Sequence, residues 1–279
     1  METQKMNVHE HFIQRKESEI KRWFSATNGI NWNPERLKKY EDRIDWTALS
    51  GNTSVKLDVR LFLEFSDKWD WEKISNRIPL IKNKVDFVLI LGRFKDKLNW
   101  SDVCSSIHMD SKIVEAFPEY IDWSVLCRNQ YFMWENPFIE KHVNSMEWDV
   151  FSEFVRFQSF KLMRIMKQNH RGDNTLSSWM IGTIKHFKEH WNWEKLSKNR
   201  RISFTPTMIE AFKDKWNWQN LMGNRAMNWD IDVVNKYSTY IPELEQEQIE
   251  HSFLWESLVK QEFMNTTETD LELIIDKGF

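Results

Sequence analysis

Eight tryptophans open the same short phrase, and that recurrence constrains the fold more than any other feature. They are Trp46, Trp71, Trp100, Trp123, Trp148, Trp193, Trp218 and Trp255. The clearest copies read DWTALSGN (45–52), DWEKISNR (70–77), DWSVLCRN (122–129), NWEKLSKN (192–199) and NWQNLMGN (217–224). Successive intervals are 25, 29, 23, 25, 45, 25 and 37 residues. A period of this length marks a repeat of one supersecondary unit. The interval of 45 predicts a further copy without its tryptophan within 149–192, and that of 37 an insertion around Trp229 to Tyr240.

With the tryptophan as position 0, position +3 is apolar in every copy: Leu49, Ile74, Val103, Leu126, Phe151, Leu196, Leu221 and Leu258. Position −2 is also apolar in all eight, from Ile44 and Trp69 to Phe253. Position −6 is Tyr40, Phe65, Phe94, Phe117, His142, Phe187, Phe212 or Ile249. Position −9 is apolar except at Gln246. Offsets of −9, −6 and −2 fall on one stripe of a helix with 3.6 residues per turn. Positions 0 and +3 begin a second, shorter helix, and Asp or Asn at −1 in six copies suits its N-cap. Each unit therefore reads as a longer helix, a tight corner and a short helix. A unit of about 25 residues cannot bury its own stripe, so neighbours must stack. The expected fold is all-α, an α-solenoid of eight or nine helix–turn–helix repeats. Residues 1–31 read as an N-terminal helical cap with a helix at about 9–24. The array spans 32–242, and 243–279 hold the last repeat and an acidic C-terminal cap. Asn169 to Thr175 reads as a loop.

The W-x-x-[LI]-S-x-N phrases resemble tandem Trp-rich repeats found in uncharacterised proteins of AT-rich bacteria and giant viruses. The resemblance covers about 32–260 and rests on the five phrases quoted above. The copies at 100, 148 and 255 lack the terminal Asn. What the resemblance implies is repeat architecture, with no particular chemistry attached.

Composition agrees with a helical chain. Seven Gly and six Pro in 279 residues are few, and sixteen Trp stand against five Tyr. The net charge of −3 brings no strong global field to attract nucleic acid or an acidic membrane. Its distribution is uneven, because residues 243–279 carry −8 and the remainder +5. The polar N-terminus has no apolar signal core, no run suits a membrane span, and two cysteines cannot build a disulfide framework. These features predict a cytoplasmic, reduced protein.

Few motifs invite chemistry. His186 to His190 matches H-x-x-E-H, the spacing of an inverted zinc-protease motif. Within the repeat alignment, however, His190 stands where Lys215 and Lys68 stand, which marks a solvated position. His9-Glu10-His11 does not share a helical face, His142 occupies an aromatic core position, and Arg171-Gly172-Asp173 matches an adhesion tripeptide by coincidence. Cys104 and Cys127 fall at +4, where Ser50, Ser75, Ser152 and Ser197 stand elsewhere, so they read as small residues at a packed corner. There is no GxGxxG, Walker A, G-x-S-x-G or kinase signature. No catalytic residue, metal ligand or cofactor is therefore assigned, and the chain is not expected to be an enzyme.

Aromatics interleaved with bases suit single-stranded nucleic acid, but the phasing of these tryptophans with Leu and Phe favours core packing. One polar feature repeats. Arg77, Arg128, Lys198, Arg200, Arg201 and Arg225 fall at +5 to +8, and equivalent positions on stacked units form a basic ridge. The +6 asparagines, Asn52, Asn129, Asn199 and Asn224, read as helix ends or caps. The resulting expectation is a non-enzymatic scaffold that binds a protein partner. The alternative is binding of a polyanion (RNA, DNA or nucleotide) along the ridge.

Overall fold

The structure, a computed structural model, describes residues 7–56, 58–156 and 173–265. Among these residues it is all-helical, with one isolated bridge between Phe204 and Met227 and no strand. No helix among them is long and apolar enough to cross a membrane. The chain divides into two compact bodies, Met1–Met133 and Trp134–Phe279.

In the first body α1 (Val8–Ala26) precedes four helix pairs. These are α2 (Pro34–Lys39) with α3 (Trp46–Gly51), α4 (Val59–Glu64) with α5 (Trp71–Ser75), α6 (Lys84–Phe94) with α7 (Trp100–Cys104), and α8 (Ser111–Ala116) with α9 (Trp123–Arg128). The second body has three such pairs: α10 (Asn136–Lys141) with α11 (Trp148–Phe154), α12 (Asp173–His186) with α13 (Trp193–Lys198), and α14 (Pro206–Ala211) with α15 (Trp218–Met222). It closes with α16 (Ile231–Lys236), α17 (Gln246–Glu250) and α18 (Phe253–Asn265). Residues 169–172 of the expected loop lie outside the described residues, while Asp173 to Thr175 begin α12.

Helices of five or six residues do not persist alone in water, so each pair is held by its neighbours. The six predicted caps form: the side chains of Asp45, Asp70, Asn99, Asp122, Asn192 and Asn217 each accept from a backbone N–H in the first turn that follows. Positions −9 and +3 are the centre of the core. Leu37, Phe62, Leu91, Val114, Ile139 and Ile184 are fully buried, as are all seven +3 residues from Leu49 to Leu221.

The single stripe expected through −9, −6 and −2 does not form one helix. In most units the first helix ends at −7 and is as short as the second. Position −6 leaves helical geometry (φ −121°, ψ 33° at Phe65), and −2 reaches the core from the turn. The cause lies in two groups that would otherwise bond to each other. In a continuing helix the −1 N–H would donate to the −5 carbonyl. Instead the signature indole N–H takes that carbonyl, at 2.9–3.3 Å, in the units of Trp46, Trp71, Trp100, Trp148, Trp193 and Trp218. The −1 N–H meanwhile donates to the +4 side chain of the preceding unit. Asp70 binds Ser50 Oγ at 2.9 Å, Asn99 binds Ser75 at 2.8 Å, Asn192 binds Ser152 at 3.0 Å and Asn217 binds Ser197 at 2.9 Å. The Asp122 amide likewise donates to the Cys104 sulfur.

The +4 residue is gripped a second time through its carbonyl. The Nδ2 of Asn52, Asn129, Asn199 and Asn224 donates to the +4 carbonyl of the preceding unit, at 2.7–3.0 Å. The Oδ1 of each takes the N–H two residues on. These asparagines do end their helices, and they also tie neighbouring units together. The signature rings fill the same seam. Each lies 4.7–5.7 Å from the −6 aromatic of the next unit in six pairs, Trp46–Phe65 and Trp193–Phe212 among them. Most are half-buried, sandwiched between units and outside the innermost core.

This bonding corrects three expectations. First, α1 is more than a cap. Ser25 is fully buried, its Oγ accepts from the Asp45 amide, and its carbonyl accepts from Asn52, so the end of α1 serves as a unit's second helix with Lys21 at position 0. Second, the units of Trp148 and Trp193 are direct neighbours, because Asn192 and Asn199 both bond Ser152, while residues 157–172 of the interval where a further copy was expected lie outside the described residues. Third, the segment 230–241 is the first half of another unit. Its Tyr237 ring lies 5.1 Å from Trp218, where the other units place −6. At that junction position +4 is Met222 and −1 is Pro242, so the acceptor and the donor are missing together. Trp255 is 41% exposed in the 13-residue α18 and is no signature residue. That helix instead covers the end of the body, with Gln261 Nε2 donating to the Trp229 carbonyl at 2.8 Å.

Replacing Ser197 or Asn224 by Ala is expected to destabilise by about 1–3 kcal/mol each, since buried partners lose their bonds. Leu196→Ala at the core position should cost about 2–5 kcal/mol. The exposed Asn76, which bonds only within its own helix, should tolerate Ala within about 0.5 kcal/mol. Urea unfolding of the four variants measures the order.

Candidate functional site

The six bases expected on one ridge have different surroundings. Arg77 stands at +6, where four other units have Asn, and it is 7% exposed. Its guanidinium donates to the Ser50 carbonyl at 2.9 Å and to that of Val55. Burial lowers its pKa from the ordinary arginine value. Arg77 is thus the asparagine clamp of its unit in longer form, and contrary to the expected ridge it does not stand at the surface with the other bases. Arg128, exposed in the same body, donates to Ser124 Oγ at 2.8 Å, one turn back in α9.

In the second body three of the bases meet. Lys198, Arg200 and Arg201 line a pocket of about 530 Å³ with Glu153, Phe154 and Asn220. Lys198 lies 2.7 Å from Glu194, and Arg201 donates to the Phe154 carbonyl at 3.2 Å with its guanidinium 5.3 Å over the Phe154 ring. Arg200 is exposed. Arg225 is outside the lining, 3.7 Å from Glu256 and 5.8 Å over the Phe253 ring. Arg77 at +6 points inward to the preceding unit, whereas Arg128 and Lys198 at +5, Arg200 and Arg225 at +7 and Arg201 at +8 are exposed, so a run of bases across this turn is split by its own geometry.

The first body carries a larger groove that sequence reasoning missed. It measures about 880 Å³ and is lined by Val55, Leu80, Ile81 and Leu89 together with Arg60 and Asp86. Leu80, Val85, Val88 and Leu89 are exposed around α6, which is apolar on nearly every side. The signal available was the run VDFVLILG, whose apolar residues exceed what one buried stripe requires.

The remaining chemical candidates are accounted for by packing. Cys104 and Cys127 are buried, and burial pushes the Cys104 thiol up to about 12, which keeps it protonated at neutral pH. His186 Nε2 lies 2.7 Å from Glu140, whereas His190 stacks on Trp148 at 4.9 Å and Glu189 pairs with Lys188. The three groups of the H-x-x-E-H match are thus engaged separately. His142 is half-buried with its ring 4.6 Å from Phe138, and His9 and His11 are exposed on α1. Arg171 and Gly172 of the adhesion tripeptide lie outside the described residues.

One exposed carboxylate is strongly tuned. The side chains of Lys213, Lys236 and Tyr237 all donate to Glu210, at 2.9, 3.0 and 2.9 Å, and hold its pKa down to about 2. Comparison with family models, with curated proteins and with solved structures finds no match.

Two outcomes separate structure from surface. Arg77→Ala is expected to cost about 2–3 kcal/mol in urea unfolding, while Arg200→Ala stays within about 0.5 kcal/mol. Glu210 stabilises in its ionised form, so its contribution is complete above the ordinary value of 4.5 and is lost as pH falls through about 2. Thermal midpoints of the protein and Glu210→Gln should therefore differ at pH 6 and converge towards pH 2. A carboxyl titration followed by NMR places the midpoint.

Proposed function

We propose that the protein is a non-enzymatic interaction scaffold, an α-solenoid of about 25-residue units that binds a protein partner in the cytoplasm. In this reading eight or nine units are counted when the end of α1 and the half-unit at 230–241 are included. The observation that carries it is the 880 Å³ groove beside α6, lined by exposed Leu80 and Leu89, with Val85 and Val88 also exposed on that helix. Exposed apolar side chains grouped at a concave surface mark a place where another chain is buried. Arg60 and Asp86 in the wall supply both signs of charge for orientation. The occupant that fits is a protein segment with two or three apolar side chains, held as repeat arrays hold extended or helical peptides.

The test is affinity capture with the intact protein and with a Leu80→Asp/Leu89→Asp variant, followed by calorimetry with the purified partner. Loss of saturable binding in the variant, with its fold unchanged, supports the reading. A partner bound equally well by both forms contradicts it.

A second reading rests on the 530 Å³ pocket, where Lys198, Arg200 and Arg201 stand against Glu153. Three cations in one concavity suit a phosphate-bearing ligand such as a nucleotide or an oligonucleotide. It predicts that binding of a short oligonucleotide weakens with rising salt and falls at least tenfold in the Lys198/Arg200/Arg201→Ala triple variant. Affinity indifferent to salt and to the triple change overturns it.

A further inference from the structure

Arg77 carries a charge that its structural role does not need. Four other units grip the preceding +4 carbonyl with a neutral Asn at +6, whereas Arg77 does so with a guanidinium. Among the described residues it is the one charged side chain that is buried. A buried charge is costly unless an opposite charge stands against it. Arg77 has no ion pair among the described residues, and its bonds go to the carbonyls of Ser50 and Val55. These use two of the five N–H donors of a guanidinium and leave three. Burial lowers its pKa with no carboxylate to offset the shift.

Arg77 also lines the 880 Å³ groove beside α6, so the uncompensated charge borders a space large enough for an occupant. The other charges of the lining lean the same way. Arg60 is paired with Asp58 at 3.2 Å. Lys56 and Lys82 are exposed with no ion pair among the described residues, and Asp86 is half-buried. Lys56, Arg77 and Lys82 against Asp86 leave the groove with two positive charges in excess. Between these groups the lining presents Leu80 and Leu89, 67% and 49% exposed.

We infer that the occupant of this groove is an acidic segment of a partner protein: its apolar side chains cover Leu80 and Leu89, and an Asp or Glu beside them completes the ion pair that Arg77 lacks. This rests on the reading of the groove as a docking surface and adds the charge of what docks there. A planar guanidinium meets a carboxylate through two parallel hydrogen bonds. A desolvated pair of this kind selects among partners, because a segment without the acid leaves the arginine buried and unpaired. Two excess positive charges call for more than one negative charge, which acidic side chains supply and a lone chain terminus does not. Nucleic acid fits less well. It has no aliphatic side chains to cover the two leucines, and Asp58 and Asp86 stand in the lining against its phosphates.

The test is selection of random peptides of about twelve residues on the intact protein, with Leu80→Ser/Leu89→Ser as a counter-selection that retains only peptides bound in the groove. Both leucines are exposed, and the change adds no charge. The strongest peptide is then made with both ends blocked and titrated by fluorescence anisotropy. Expected are sequences in which two or more Asp or Glu stand among apolar residues. Changing one of these acids to its amide should weaken binding at least tenfold, and so should Arg77→Gln, which keeps a donor for the Ser50 carbonyl. Once that acid is gone, Arg77→Gln should cost no further affinity, a coupling that general damage to the groove does not give. If urea unfolding shows Arg77→Gln to be unfolded, the exposed Lys56→Gln/Lys82→Gln variant replaces it, with at least threefold loss for the acidic peptide and none for its amide form. Neutral or basic peptides in the groove, or an acid whose loss is felt equally in the protein and the variant, overturn the inference and leave the docking surface standing. Failure to select any peptide that tells the intact protein from Leu80→Ser/Leu89→Ser overturns the docking surface as well.

Discussion

The architecture depends on one backbone hydrogen bond that is never made. At the corners of Trp46, Trp71, Trp100, Trp193 and Trp218 the −5 carbonyl and the −1 amide, which a continuing helix would join, are both taken by side chains, the carbonyl by the unit's own tryptophan and the amide by the +4 serine before it. A buried amide and carbonyl must be satisfied, so the corner is stable only when the tryptophan is in place and a neighbour is stacked. The bend within a unit and the attachment between units are therefore the same event.

The consensus phrase can be read one position at a time against this arrangement. The residue at −1 caps the second helix by its side chain and binds the previous unit by its amide, as Asn217 does with Asn220 and Ser197. The residue at +3 fills the core. Position +4 demands a small acceptor that also returns its own proton to the signature carbonyl, as Ser197 Oγ does to Trp193 at 2.7 Å. That demand explains why Ser dominates and why Cys is tolerated where Leu is not. At +6 the asparagine supplies two donors inward and one acceptor to its own turn. The bond between +4 and the next −1 amide is lost where both sides change together, Met222 with Pro242, and there the array of pairs gives way to α17 and α18.

Much of this was legible because the repeat aligns. The caps, the −9 and +3 core and the equivalence of Cys104 with the serines follow from spacing alone. The rest was hidden for identifiable reasons. Phe65 and its equivalents look helical by periodicity, since a turn that returns the chain to the core mimics a stripe. Ser25 carries the full bonding of a +4 residue, but Lys21 replaces the tryptophan that would have announced it. Arg77 looked like surface charge because one-dimensional alignment placed it among bases. Only the geometry shows that its guanidinium spans the distance an asparagine amide spans elsewhere. The candidate grooves were illegible as well, because they arise between units from residues that do not repeat. The polar positions that recur, the +4 serines and +6 asparagines, are occupied with holding neighbouring units together.

The most direct measurement of the central claim is amide hydrogen exchange at Asp70, Asn192 and Asn217, in the native chain and in Ser50→Ala, Ser152→Ala and Ser197→Ala. If these amides are held by the preceding unit, each is protected in the native chain. Each then loses at least tenfold protection when its own serine is removed, while the other two are unchanged. Protection that survives loss of the serine would mean that the amides are held within their own units, and would contradict the account.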